Sequence, residues 1–256
     1  MTHPYFAPDR PRVLAHRGFV PPDAENVVEN TFAAFAAAHA AGVRYVESDC
    51  HLSADGTVIL FHDTDLARVA GDPRRISEVG RRELEQIMAD RGGLVTLTQA
   101  LESFPTLRFN LDVKADDAAA AVGRAVAPYA DRVLLTSFSD RRRMLALRAA
   151  RAAGGNPATS AGTGRVVALV AAVASGMPWL IRRALRGIDA VQVPERRGPL
   201  RIVSPRMIRA VHRSGAEVHV WTVNDADDMK RLLAAGVDGL VTDRADRAQL
   251  VIGGPR

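Results

Sequence analysis

Two histidines come directly after short apolar runs of the sequence. His16 follows Val13–Ala15 in LAHRG, and His62 follows Val58–Phe61 in TVILFHD. Such runs are typical of strands, so both side chains are expected at strand ends. Two histidines that face one site can serve as general base and general acid near neutral pH. One such His alone is more often structural, but Arg17 beside His16 adds a guanidinium that can bind a phosphate with two hydrogen bonds.

Acidic residues lie at matching positions of two further predicted strands. Glu47 and Asp49 are two apart in YVESDCH, and Asp112 and Lys114 are two apart in NLDVK, so each pair points to one face of its strand. Clustered carboxylates repel each other and are costly to desolvate, and a divalent cation relieves both problems. Asp112 could complete a three-carboxylate metal site and Lys114 could neutralise phosphate oxygens. A plain Asp–Lys ion pair is the alternative.

The elements that must position these residues alternate along the chain between short β-rich runs and longer helical runs. The predicted strands are Val13–His16, Tyr45–Asp49, Val58–Phe61, Arg108–Val113, Val133–Ser137, Ala190–Val193, Glu217–Val220 and Gly239–Thr242, with a weaker one near Ala158–Ser160. The predicted helices are Thr31–Ala41, Leu97–Phe104, Asp117–Tyr129, Asp140–Ala153, Arg165–Arg186, Pro205–Ser214 and Ala226–Ala235. This alternation predicts repeated βα units and a parallel sheet.

The sheet is predicted to close into a (β/α)8 TIM barrel of the α/β class. A length of 256 residues suits one such barrel. An open doubly wound sheet would need a Gly-rich phosphate turn after its first strand, and the chain reads RGFVPPDAEN there instead. Chemistry in a barrel lies at the carboxyl ends of the strands, where the residues above are expected.

Two segments depart from the simple alternation. Residues 64–94 are polar and charged, and we interpret them as an insertion on a single domain that spans residues 1–256. The apolar segment Val166–Ile181 is shorter than the roughly 20 residues of a membrane span and is interrupted by Gly176 and Pro178. We interpret it as a barrel helix that breaks near Pro178, with a peripheral membrane contact as the alternative.

Composition narrows the classes of function. The formal charge is +5, almost all of it from arginine, and aromatic residues make up only 5% of the chain. The arginines are not interleaved with aromatic side chains, which argues against a nucleic-acid partner. The single cysteine, Cys50, allows no internal disulfide, and the N-terminus has no apolar signal region. These features predict a cytoplasmic location.

Taken together in their order, six pieces of the sequence resemble the bacterial, barrel-type glycerophosphodiester phosphodiesterase family. They are LAHRG, the ENT of residues 29–31, ESDCHLSADGTVILFHD, LDVK, WTVND and GVDGLVTDR, and in this order they extend over nearly the whole chain, from residue 14 to residue 244. The resemblance implies a barrel with an inserted subdomain. It also implies metal-dependent hydrolysis of a small-molecule glycerophosphodiester to glycerol 3-phosphate and an alcohol.

The resemblance also implies a role for each matching position. His16 and His62 would be the acid/base pair; Glu47, Asp49 and Asp112 would bind the metal; Arg17, Glu29, Lys114 and Trp221 would contact the substrate. The family more often has Glu at the position of Asp112, whose side chain is shorter by about 1.5 Å, one C–C bond.

Oxygen ligands favour calcium or magnesium over manganese or zinc as the single divalent cation.

The alternatives in function are a lysophospholipase D activity on the same scaffold and a barrel that binds phosphodiesters without catalysis. A metal-dependent amidohydrolase would need a His-x-His near the first strand, and the sequence has none there. The oligomeric state is not predicted.

Overall fold

In the computed structural model, which describes residues 3–7 and 10–253, eight parallel strands form a nearly closed barrel. The strands of the described chain are β1 (Arg12–His16), β2 (Tyr45–Leu52), β3 (Val58–Leu60), β4 (Asp65–Leu66), β5 (Asp72–Arg75), β6 (Arg108–Val113), β7 (Val133–Thr136), β8 (Ala158–Thr159), β9 (Ala190–Val193), β10 (Arg196–Arg197), β11 (Leu200–Arg201), β12 (Glu217–Val220) and β13 (Gly239–Thr242). The barrel order is β8-β7-β6-β2-β1-β13-β12-β9, and a parallel bridge between Ser160 and Ala190 joins β8 to β9. The predicted TIM barrel is therefore confirmed.

Helices lie between the barrel strands and cover the outer faces of those strands, apart from the two helices of residues 64–94. They are α1 (Phe32–Ala40), α2 (Ala67–Ala70), α3 (Arg81–Met88), α4 (Leu97–Ser103), α5 (Ala118–Val126), α6 (Asp140–Ala152), α7 (Thr163–Ser175), α8 (Pro178–Ala184), α9 (Pro205–His212), α10 (Ala226–Ala234) and α11 (Ala245–Gly253). Outward-facing residues such as Phe109, Leu111 and Val113 of β6 are fully buried in the core between sheet and helices. The alternate residues of the same strands point into the barrel and are free to be polar.

Two predicted elements differ from the structure. The run Val58–Phe61 is not a barrel strand: β3 turns back at Asp55-Gly56 and pairs antiparallel with β2. The weaker run near Ala158 instead supplies the eighth barrel strand. A three-residue loop, residues 54–56, with Gly56 at φ 78° and a backbone hydrogen bond from Ser53 N–H to the Thr57 carbonyl at 3.0 Å, favours this hairpin, which the order of apolar runs alone does not reveal.

The predicted helix Arg165–Arg186 is two helices. α7 ends at Gly176, whose φ of 73° is left-handed, and α8 begins at Pro178. The expected break near Pro178 is confirmed. In the part of the chain that is described, no helix combines the length and the apolar character needed to cross a bilayer.

Residues 64–94 contain the two-stranded antiparallel sheet β4–β5 and the helices α2 and α3. A small core of their own, shared with the β2–β3 hairpin, holds this segment on the barrel; it consists of Ile59, Phe61, Leu66, Ile76, Val79, Leu84 and Met88. The segment follows β3 directly, so it stands at the same end of the barrel as His62.

Candidate active site

Strand register brings the predicted polar residues side by side. His16 on β1 is level with Glu47 on β2, and Asp49 on β2 is level with Asp112 on β6. Side chains at these levels share the inner face, because residues two apart on a strand point the same way. The carboxyl ends of β1, β2 and β6 therefore form one polar surface.

This surface is the floor of a cavity of about 850 Å³. Eight of the nine predicted site residues line it, namely His16, Arg17, Glu47, Asp49, His62, Asp112, Lys114 and Trp221. Glu29 does not line the cavity, but it accepts a hydrogen bond from Nη1 of Arg17 at 2.8 Å. A smaller cavity of about 550 Å³ lies where β2 and β6 begin and contains none of the nine.

The Lys114 ammonium lies between two of the carboxylates. Its Nζ is 2.7 Å from Oδ1 of Asp49 and 2.7 Å from Oδ2 of Asp112. Burial alone would lower the pKa of Lys114, but the charges of Asp49 and Asp112 outweigh it and raise that pKa. The alternative considered from the sequence, an ion pair between Asp112 and Lys114, is therefore present in the structure. Asp49 takes part in it as a third residue.

Glu47 is the carboxylate that the surrounding cations compensate least. Its Oε2 accepts a hydrogen bond from the backbone N–H of Arg17 at 3.2 Å and lies 3.9 Å from Nε2 of His16. Burial and the neighbouring charge of Asp49 raise the pKa of Glu47 to about 8. A further positive charge at this position would favour the ionised carboxylate.

The donor set fits a hard divalent cation, although no three His, Cys, Asp or Glu side chains of residues 3–7 and 10–253 converge into a ready-made metal centre. Oδ1 of Asp112 is buried and has no hydrogen-bond partner in that part of the chain. Together with the poorly compensated Glu47, this orphaned oxygen marks where a cation would be stabilised. All donors offered by Glu47, Asp49 and Asp112 are oxygens.

Each cavity histidine contacts a carboxylate that is not one of the three predicted metal ligands. Nδ1 of His16 lies 2.6 Å from Oδ1 of Asp243, and the other Asp243 oxygen accepts a hydrogen bond from Asn224 at 2.7 Å. Burial lowers the pKa of His16, but the hydrogen bond to Asp243 and the charge of Glu47 outweigh it and raise the pKa. This contact fixes the ring so that Nε2 faces the carboxylate floor.

His62 also contacts a neighbouring carboxylate through Nδ1. Nδ1 of His62 lies 2.6 Å from Oδ1 of Asp63, and Arg68 of α2 donates to Oδ2 of Asp63 at 2.6 Å. Arg68 also donates to Glu29 at 2.5 Å. Residues 64–94 therefore take part in orienting His62 through Arg68.

Four positioning residues, Asp63, Arg68, Asp243 and Asn30, escaped the sequence prediction. Asp63 and Asp243 follow His62 and Thr242 directly, so each could have been noticed as a carboxylate at a strand end. Asn30 is buried at φ 58°, donates to Asp49 at 2.9 Å and accepts from Ser48 at 2.6 Å. The adjacent Thr31 caps α1 through its hydroxyl, so the Asn30 side chain is not required as the N-cap.

The turn after β1 explains why LAHRG ends in glycine. Arg17 has φ 57° and Gly18 has φ 85°, so the chain reverses sharply after His16. A Cβ added at Gly18 would lie 2.9 Å from the backbone carbon of Ala34. Only glycine permits this approach, which turns the Arg17 side chain toward Glu29 and Asp49.

The far wall of the cavity is apolar. Trp221 and Phe138 pack edge to face with ring centroids 5.9 Å apart, and the Lys114 ammonium lies 5.8 Å from the centre of the Phe138 ring. Beyond them the lining is mostly aliphatic, contributed by α7 and by the β10–β11 hairpin: Val166, Val167, Val170, Ala171, Ala174, Leu200 and Ile202. The cavity therefore joins a charged floor to a hydrophobic wall.

Residues 16–247 match the model of the glycerophosphoryl diester phosphodiesterase family. The chain belongs to this family. It is 36% identical over 236 residues to a probable glycerophosphodiester phosphodiesterase 2 of Mycobacterium tuberculosis, covering 91% of this chain and 87% of that protein. The family assignment and the resulting class of enzyme, a phosphodiesterase, confirm the resemblance seen in the sequence.

Solved structures of lower identity share the fold of this family member. A putative glycerophosphoryl diester phosphodiesterase from Silicibacter pomeroyi has a TM-score of 0.75 at 23% identity, with 98% of this chain and 97% of that chain covered. A phosphodiesterase from Oleispira antarctica, solved with the product sn-glycerol-3-phosphate, has a TM-score of 0.72 at 22% identity, with 96% and 98% covered.

Proposed function

We propose that the chain hydrolyses glycerophosphodiesters to glycerol 3-phosphate and an alcohol, with His16 and His62 as the acid/base pair. Membership of the family carries the reaction class. The observation that carries the residue assignment is a pair of imidazoles on one cavity, each held through Nδ1 by a carboxylate 2.6 Å away. Such a contact leaves Nε2 of each ring as the atom that exchanges a proton with substrate.

The proposed chemistry requires one bond to form at phosphorus and one to break. One imidazole takes the proton of the attacking hydroxyl, either water or the glycerol 2-hydroxyl, as its oxygen bonds to phosphorus. The other imidazole donates a proton to the alcohol oxygen as the P–O bond breaks. With the glycerol hydroxyl as nucleophile, a cyclic phosphate forms first and water then opens it to glycerol 3-phosphate.

The remaining cavity residues are assigned to binding. The Arg17 guanidinium and the Lys114 ammonium offer positive charge to the non-bridging phosphate oxygens. Glu29 orients Arg17 through their hydrogen bond at 2.8 Å. Trp221, beside Phe138, forms a wall for the glycerol or alcohol portion.

Glu47, Asp49 and Asp112 would hold one divalent cation, calcium or magnesium before manganese or zinc. When bound, that cation would supply positive charge that stabilises the developing charge on phosphate oxygens. The Lys114 ammonium has three donor hydrogens, and its contacts with Asp49 and Asp112 use two of them, so one is left for a phosphate oxygen.

Release of glycerol 3-phosphate from glycerophosphoethanolamine is expected to stop in EDTA and return when calcium or magnesium is added. The physical reason is that a cation would stabilise the ionised form of Glu47, which burial and the charge of Asp49 disfavour by raising the pKa of Glu47 to about 8. The assay is a coupled measurement of glycerol 3-phosphate. Because a ligand that binds only the folded state raises Tm, the same cation should also raise Tm of the wild-type chain.

The matched control is the Glu47→Gln/Asp49→Asn variant, whose Tm should not respond to the cation. Full activity in EDTA would remove the cation from the proposal and leave the histidine assignment intact. Activity restored only by zinc would contradict the preference for hard cations.

The apolar wall favours a second candidate, a lysophospholipase D activity. Val166, Val167 and Val170 line the cavity opposite the charged floor and could contact an acyl chain. The two candidates predict opposite rankings of kcat/KM for lysophosphatidylcholine and glycerophosphocholine. A higher value for glycerophosphocholine would retain the first candidate, and a higher value for lysophosphatidylcholine would replace it with the second.

A further inference from the structure

The positive charge of the chain is concentrated in one fifth of its length. Residues 163–213 contain ten arginines, no lysine and only two acidic residues, Asp189 and Glu195, for a net charge of +8. The rest of the chain has 24 basic and 27 acidic residues, a net charge of −3. Overall composition therefore hides a strongly basic segment on an otherwise slightly acidic protein.

This segment includes an extended helical hairpin. Arg165 in the first turn of α7 donates to the carbonyls of Ala184 and Arg186 at the end of α8. The two helices therefore run antiparallel, and their connection, residues 176–179, forms a tip away from those ends. Ala174 of α7 lines the active-site cavity, so the tip begins at the cavity wall.

The tip exposes large apolar side chains. Trp179 is 55% exposed and Met177 is 46% exposed. Among the described residues seven large hydrophobic side chains are exposed, and five of them belong to this hairpin or to the cavity mouth: Phe138, Val167, Met177, Trp179 and Leu200. Surface hydrophobics scattered singly need no explanation, but such a group marks an interaction surface.

Arginines share elements with these apolar side chains: Arg182 and Arg183 are on α8 with Trp179, and Arg196 and Arg197 are on the hairpin that carries Leu200. Arg182, Arg183, Arg196 and Arg197 are exposed and form no salt bridge with any described residue. Arg206 adjoins the tip, since a Cβ added at Gly176 would lie 2.9 Å from its Nη2. Their charge is thus available to an external anion.

We propose that the α7–α8 tip and the adjoining β10–β11 hairpin dock the enzyme on an anionic phospholipid bilayer. Exposed tryptophan and methionine beside unpaired arginines match the chemistry of such an interface, which combines apolar insertion with attraction to anionic headgroups. The cavity mouth, bordered by Val167 and Leu200, then opens toward the lipid surface. This inference rests on charge and exposure and does not require the proposed substrate.

The test is sedimentation of the full chain with vesicles of phosphatidylcholine alone or mixed with phosphatidylglycerol. Binding is expected only to the anionic vesicles. It should disappear near 1 M NaCl, because at that salt concentration charges more than about 3 Å apart are largely screened from each other. Arg182→Gln/Arg183→Gln should lower the partition coefficient about tenfold or more, given the usual contribution of an arginine near an anionic surface. Met177→Ser/Trp179→Ser should lower it as well.

The matched control is Arg124→Gln/Arg148→Gln, which removes two exposed arginines from α5 and α6 and should bind like the wild type. Circular dichroism and Tm establish that each variant is folded. An equal loss of vesicle binding in the control variant would show that only the net charge of the protein matters, and it would overturn the proposal. Binding to a DNA duplex without binding to anionic vesicles would overturn it in favour of a nucleic-acid partner.

Discussion

Alanine at either cavity histidine should lower kcat for glycerophosphodiester hydrolysis by about 10²–10⁴-fold, the usual contribution of a positioned acid or base. His16→Ala removes the imidazole held by Asp243, and His62→Ala removes the one held by Asp63. KM should change much less, because neither imidazole is assigned to hold the substrate. Steady-state release of glycerol 3-phosphate measures both constants.

The matched control is His39→Ala, since His39 is an exposed histidine of α1 beside Thr106, at the smaller cavity. Its kcat should equal that of the wild type. If His16→Ala or His62→Ala turned over substrate at a near-normal rate, that residue would lose its role. Loss of activity with an unchanged Tm and an unchanged response to calcium would assign the effect to chemistry.

The polar floor of the cavity could be predicted from the sequence because strands impose a period of two. Glu47 with Asp49, and Asp112 with Lys114, share a face in any strand, and parallel strands end at one edge. Their convergence therefore needed only the sequence of apolar runs. Glu29 is different, because it reaches the site through Arg17 and no periodicity in the chain points to it.

What the sequence did not indicate depends on contacts between distant segments. Asp243 meets His16 across 227 residues through the pairing of β1 with β13, and Arg68 meets Glu29 across 39 residues. Local sequence pattern encodes neither contact. The apolar wall of the cavity could not be predicted from the sequence either. Val166 to Ala174 form the same apolar helical run whether their side chains face a core or a cavity.

A buried ion pair occupies the barrel interior at the end opposite the active site. Arg12 of β1 donates to both oxygens of Glu217 of β12 at 2.8 Å, and also to Tyr45 at 2.7 Å and to the carbonyl of Phe6 at 2.9 Å. β13 separates the two strands in the sheet, so the pair crosses the barrel interior. Because the pair lies away from the active site, substitutions in it test stability without changing a catalytic residue.

Arg12→Met should lower the free energy of unfolding by about 3–5 kcal/mol, because it leaves Glu217 buried without its main partner. The double variant Arg12→Met/Glu217→Met should recover most of that loss, since it removes the uncompensated charge. Urea unfolding followed by circular dichroism measures both. An equal loss in the single and double variants would show that Arg12 acts through packing against Phe6 and Tyr45 instead.

The same pair predicts a dependence on pH. Burial would raise the pKa of Glu217, but the hydrogen bonds from Arg12 and His219 lower it from 4.5 to about 2. A depressed carboxyl pKa stabilises the folded state above pH 4.5, and this contribution is lost as the pH falls through about 2. The stability difference between wild type and Arg12→Met should therefore be largest above pH 4.5 and shrink toward pH 2. A difference that stayed constant over this range would assign it to lost packing, because packing does not titrate.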